Sequence, residues 1–127
     1  MTIEEKRKYP RLILKIDEGY FGNFKLADGN TIVAPIVNIS AGGLNMIAPE
    51  SAKESIQAGD QLLLVNIAGG ANITFISDVK SEVRWVKPLE TPGSLSVGCQ
   101  LKDLPDELRA QLVRFVDTER MTRGQYD

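Results

Sequence analysis

Between residues 12 and 101 the apolar side chains come in short alternating runs, each closed by Gly, Pro or a small polar residue. After Leu104 the period changes once, to that of a helix. A chain punctuated in this way has few choices: its first hundred residues build short strands, and only its last stretch has room for an amphipathic helix.

Residues 12–17 and 20–27 read as β-like runs separated by Glu18-Gly19, and Asp28-Gly29-Asn30 supplies the small polar residues that tolerate positive φ in a hairpin turn. Residues 31–37 continue the sheet. Pro35 lacks an amide hydrogen, so that strand must run at an edge or carry a bulge there, and a bend at this point aims the following loop outward. Residues 43–48 form another short strand, 49–59 a polar connection with some helical character, and 60–67 a strongly apolar strand closed by Gly69-Gly70. From 72 to 86 the pattern alternates through Ile73, Phe75, Val79, Val83 and Trp85, long enough for one bent strand or two, and 94–101 closes the β region.

Pro105 at a first helical turn, Asp106 and Glu107 beside it, and Leu108, Leu112, Phe115 and Val116 at i, i+4, i+7 and i+8 specify a helix ending near Met121. The expectation is a mainly β fold: a six- to seven-stranded antiparallel barrel with a C-terminal helix on its core, because closure removes exposed sheet edges. An open sandwich is the alternative. Residues 1–11 are polar and charged and read as a flexible arm, 12–121 as a single domain, and 122–127 as a tail.

The 127 residues, 43% hydrophobic and 25% charged, suit one globular core, and the formal net charge of −2 disfavours long nucleic acid as a partner. No apolar run approaches the roughly 18 residues of a membrane span, and the N-terminus lacks a signal-peptide pattern, so the expected location is the cytoplasm. Histidine is absent, which removes the commonest general base and metal ligand; no metal, no cofactor and no catalysis are expected. The acid pairs Glu4/Glu5 and Asp103/Asp106 lie in exposed or helix-start contexts and are not read as catalytic. Cys99, the single cysteine, sits in an alternating run where a buried small apolar residue is the natural role.

Two pieces carry chemistry. Arg7-Lys8-Tyr9-Pro10-Arg11 offers two guanidinium groups, and Asn38-Ile39-Ser40-Ala41-Gly42-Gly43 offers an amide, a hydroxyl and a glycine pair whose backbone can approach a phosphate. A guanidinium can donate two parallel hydrogen bonds to guanine O6 and N7 or pair with phosphate oxygens, and successive amides beside glycine make a concave anion site. Taken singly, each also reads as something plainer, the first as a solvated charged terminus and the second as an ordinary turn.

In this order, ahead of a strand-rich region and a terminal helix, they resemble the PilZ domain family. The resemblance runs over roughly residues 5–120 and includes the 94–101 strand with Gly98 and the Leu104-Pro105-Asp106 entry to the helix. It implies a non-enzymatic receptor for cyclic di-GMP, in which the arm orders over the ligand and changes the surface offered to a protein partner. By the resemblance, Arg7 and Arg11 engage guanine edges and phosphodiesters, Asn38 meets a guanine, and Ser40 with the Gly42-Gly43 backbone meets phosphate and sugar. Lys6, Lys8 and Trp85 are weaker candidates; the indole reads equally as a ring packed on the barrel. Tyr9 and Pro10 are expected to shape the arm rather than touch the ligand. Asn38 stands where the family often has Asp, and Lys6 where many relatives have a further arginine. The competing functions are a protein-interaction module of the same fold that binds no ligand, and a single-stranded nucleic-acid-binding barrel, against which the 6% aromatic content counts.

Overall fold

The computed structural model describes residues 9–125. Among them run β1 (Leu12–Ile13), β2 (Phe21–Lys25), β3 (Thr31–Ile39), β4 (Gly43–Pro49), β5 (Gln61–Ala68), β6 (Ser77–Pro88), β7 (Ser94–Lys102) and α1 (Asp106–Thr122). Neighbours pair antiparallel in the order β3-β2-β5-β6-β7-β4, and β4 returns to β3, so six strands close into a barrel. The remaining strand, β1, adds to β3 at Leu12↔Ile39 and Ile13↔Asn38. The barrel with a C-terminal helix forms as the sequence predicts.

Alternation turns one side of each strand inward. Phe24, Ile36, Ile39, Leu44, Met46, Leu64, Val83 and Val97 are all at most 1% exposed and fill the barrel with side chains rather than with a ligand cavity. Cys99 belongs to this core, and burial pushes its thiol up to about 12, the behaviour of an inert apolar group.

Two sequence expectations need correction. The run 12–17 is a strand only at Leu12–Ile13; Ile16–Glu18 is a 3-10 turn, closed by Gly19 at φ +79° and held by the Glu18 carboxylate accepting the Lys15 amide at 2.8 Å. The alternation from 72 misleads in the same way. Ala71–Ile73 is a 3-10 turn that sends Ile73 and Ile76, three apart, into the core at 1% exposure each, and the strand begins only at Ser77. Period two and a single tight turn bury similar residues over so short a span, and core packing selects the turn. The helical character expected in 49–59 amounts to a 3-10 turn at Glu50–Ala52.

Helix α1 buries Leu112, Phe115 and Val116, and Phe115 meets Phe75 edge-on at 6.5 Å between centroids. It lies against β1 and the 71–73 turn. Just past its end, the Gln125 side chain accepts the Ile13 amide at 2.9 Å and donates to the Ile13 carbonyl at 3.0 Å, which satisfies the free edge of β1 as another strand would. Arg123 pairs with Glu18, and with Glu119 at 3.0 Å.

The backbone bond from Lys15 and the pairing with Arg123 hold the Glu18 carboxyl below its ordinary value of 4.5. A depressed carboxyl stabilises the fold above its unfolded value and ceases to do so as pH falls through its folded one. Glu18→Gln is therefore expected to cost under about 1 kcal/mol at neutral pH. Melting curves of the two proteins should converge as the pH is lowered through and beyond the usual carboxylate range; a difference that persists at the acid end would show that the carboxylate charge is not the cause.

Candidate functional site

Two register shifts shape the outer wall. Pro35 interrupts the amide pattern of β3: Ile36 donates to Tyr20 at 2.9 Å on the β2 side, so the Pro35 nitrogen faces the other side, where pairing with β4 starts only at Ile36↔Met46. Immediately afterwards the β3–β4 ladder slips between Ile36 and Asn38, the bulge that Pro35 led us to expect nearby. Unbroken alternation from Ala34 and Ile36 would turn Asn38 inward. The slip sends Ile39 into the core at 1% exposure and leaves Asn38 outside, where its Oδ1 accepts Arg11 Nη1 at 2.6 Å.

A second shift falls in β6 between Val83 and Trp85, opposite Cys99 and Gly98 of β7. Val83 is fully buried, yet Trp85, two residues on, is turned out onto the wall and Val86 takes over packing on the core. Sequence alternation put Trp85 in register with Val83; the bulge re-aims it. Its indole lies over Gly98 so closely that a Cβ there would fall 2.3 Å from the ring, while Lys87 Nζ sits 4.9 Å from the ring centroid.

These residues form one cross-strand row. Asn38 pairs with Asn45, Asn45 with Gly98, and Gly98 with Trp85, across β3, β4, β7 and β6. Above the row lies a groove of about 280 Å³ whose lining includes Arg11, Gly42, Gly43, Asn45, Arg84 and Trp85. Arg84, the extra residue of the β6 bulge, donates to Gln100 at 2.8 Å and lies 3.7 Å from Glu82. The groove thus offers two guanidinium groups, amide side chains and an aromatic face, a set suited to a flat polar base and an anionic linker.

The loop after β3 is held from within. Ser40 is 4% exposed, and its Oγ accepts the amides of Gly42 at 3.1 Å and Gly43 at 3.2 Å; its own amide donates to the Gly43 carbonyl at 2.8 Å. Its hydroxyl is thereby committed to shaping the turn. Neither glycine lies at positive φ. Gly43 is required for a different reason, because an added Cβ would stand 2.4 Å from the Cys99 carbonyl oxygen.

A protein-family model, the PilZ domain, matches residues 5–118. The chain belongs to the PilZ domain family. Solved structures agree on the fold: the PilZ domain of Escherichia coli YcgR with c-di-GMP gives a TM-score of 0.75 at 18% identity, covering 94% of this chain and 96% of that one. The K. pneumonia MrkH complex with c-di-GMP gives 0.74 at 14% identity, and the Bacillus subtilis inhibitor of motility MotI/DgrA 0.69 at 14%. The chain covers 94% and 92% of itself in these two matches but only 54% and 52% of the longer proteins. No curated protein sequence matches the chain.

In this PilZ domain the groove brings together Arg11, Gly42, Gly43 and Trp85, with Asn38 reached through Arg11 and Ser40 behind the loop. Arg7, Lys6 and Lys8 lie outside the described residues. Sequence reasoning missed Asn45, Arg84 and Gln100, polar positions on strands whose neighbours appear only once the register is known. It also missed Arg109 of α1, whose Nη1 donates to the Ala41 carbonyl at 3.1 Å, 68 residues away. Nothing near Arg109 in the chain marks it as different from the other helix arginines. Among the described residues no cluster of acids or cysteine is placed to hold a metal, and no helix is long and apolar enough to cross a membrane.

Proposed function

We propose that this PilZ domain is a non-enzymatic cytoplasmic receptor for cyclic di-GMP, bound in the groove beside the 38–43 loop. The observation that carries the reading is the convergence of Arg11, the Gly42-Gly43 backbone and Trp85 on one groove. Arg11 and Arg7 take guanine edges and phosphodiester oxygens, Asn38 meets a guanine while orienting Arg11, and Ser40 sets the turn against which phosphate and sugar rest. Trp85 offers a base a stacking face, and Lys6 and Lys8 add positive charge to the arm. The N-terminal arm, residues 1–11, orders over the ligand, and the altered surface is read by an unidentified protein partner. Membership of the family and the c-di-GMP named for the YcgR and MrkH structures support this reading. The proposed process is of the motility or biofilm class; the MotI/DgrA neighbour is named as an inhibitor of motility, which supports the first of these.

Trp85 is the only tryptophan, so it serves as a built-in reporter of its own groove. Titration with cyclic di-GMP is expected to change its emission in parallel with calorimetric heat, at a Kd in the micromolar range or tighter, about 8 kcal/mol. Neither signal at high micromolar ligand would leave the interaction-module reading. Steeply salt-dependent binding of an oligonucleotide would instead revive the nucleic-acid barrel.

A further inference from the structure

We propose that Arg109 and Tyr9 form a latch that presets the binding site: Arg109 is a positioning residue that clamps the root of the arm onto the back of the 38–43 loop. The proposal rests on the receptor reading above. Arg109 projects from α1, a rigid mount because Leu112 and Val116 of the same helix are buried at 0% and 2% exposure. Its guanidinium makes two kinds of contact. One is the hydrogen bond to the Ala41 carbonyl at 3.1 Å, at the middle of the loop. The other is to Tyr9, whose ring centroid lies 5.5 Å from Arg109 Cζ and whose hydroxyl lies 3.5 Å from Nη1.

Tyr9 in turn lies on Gly42: a Cβ added there would fall 3.3 Å from Tyr9 Cδ2, so the absence of a side chain lets the ring settle against the loop. Three elements far apart in the chain, the arm at 9, the loop at 41–42 and the helix at 109, thus close on one another. Tyr9 sits two residues before Arg11 and two after Arg7. Pinning it sets Arg11 at the groove beside Asn38 in advance. Because ordering entropy subtracts from affinity, a preset root tightens binding without touching the ligand. The expectation that Tyr9 only shapes the arm becomes specific: it does so by docking on the loop under Arg109.

The test compares cyclic di-GMP affinity and thermal stability for wild type, Arg109→Ala, Arg109→Lys, Tyr9→Ala, Tyr9→Phe and the double alanine variant. Each alanine variant is expected to weaken binding about five- to tenfold, and the double variant by little more than either single one, because both remove the same latch. Tyr9→Phe keeps the ring and should stay within twofold of wild type. Arg109→Lys keeps a donor for Ala41 but not the planar stack, and should fall between. If Arg109→Ala does not fold, Tyr9→Ala and Arg109→Lys carry the comparison, since Tyr9 belongs to no strand or helix and is only partly buried where it packs on the core. Wild-type binding with unchanged affinity in the alanine variants, or fully additive losses, overturns the latch and leaves the receptor reading intact. No binding by wild type at all overturns the receptor reading and, with it, the latch's role in affinity.

Discussion

Arg11→Ala is expected to weaken cyclic di-GMP binding by about 1–3 kcal/mol, roughly five- to 150-fold, while leaving the melting temperature nearly unchanged. Arg11 is the described residue that joins the arm to the groove. It lines the pocket and donates one N–H to Asn38 at 2.6 Å, which fixes the plane of its guanidinium at the groove. Removing it takes away both the donors and the partner that orients Asn38. Stability should hold because Arg11 precedes the first strand, is only partly buried and is not one of the core residues. Arg11→Lys is a sharper probe. It keeps the charge and loses the planar fork, so most of the loss should remain if bidentate recognition matters, and little if charge alone does. Calorimetry together with a melting curve decides the matter: unfolding of Arg11→Ala would make the arginine structural, and an unchanged Kd would remove it from the site.

The second large effect is expected at Gly43. An added Cβ would meet the Cys99 carbonyl oxygen at 2.4 Å, and the obstacle is the backbone of a paired strand rather than a side chain that can turn away. Gly43 and Gln100 are register partners in the β4–β7 ladder, so relief requires prising apart two strands of a closed barrel. Gly43→Val is expected to cost about 3 kcal/mol and to lower the melting temperature by roughly 10 °C. Ligand affinity should fall with it, because the Gly43 amide is also one of the two held by Ser40 Oγ. Gly29 is the control: it sits at φ +90° in an open turn with nothing within 4 Å of an added Cβ. A substitution there strains one turn without disturbing the groove. Equal losses of affinity at the two positions would show that the groove reads global stability rather than this close approach.

The strand-rich architecture and the helix were legible because each is written locally. Leu108, Leu112, Phe115 and Val116 repeat at helical spacing; Leu44, Met46 and Ala48 alternate at strand spacing; Asp28-Gly29-Asn30 closes a hairpin. Arg11 and the 38–43 loop stood out for another reason, as residue types whose order resembles a family, and the structure brings Arg11, Gly42 and Gly43 to one groove. The errors came where one pattern serves two structures. Ile73 and Ile76 are buried by a turn as well as a strand would bury alternate residues, and Leu14 lies in the core beyond the end of β1.

What the chain's local pattern could establish was the inventory: strands, helix, a cysteine suited to the core, and two short pieces whose residue types resemble those of a family. Which of those side chains share a surface was settled in three dimensions. Single-residue slips at Ile36/Asn38 and Val83/Trp85 reverse the faces that alternation assigns, placing Asn38 and Trp85 at the ends of one outer row. Arg109 reaches the loop only because α1 packs back against β1 and the 71–73 turn. A slip of one residue costs little in sequence terms and inverts every side chain beyond it, so it is set by how neighbouring strands pair and how the core fills, both long-range effects.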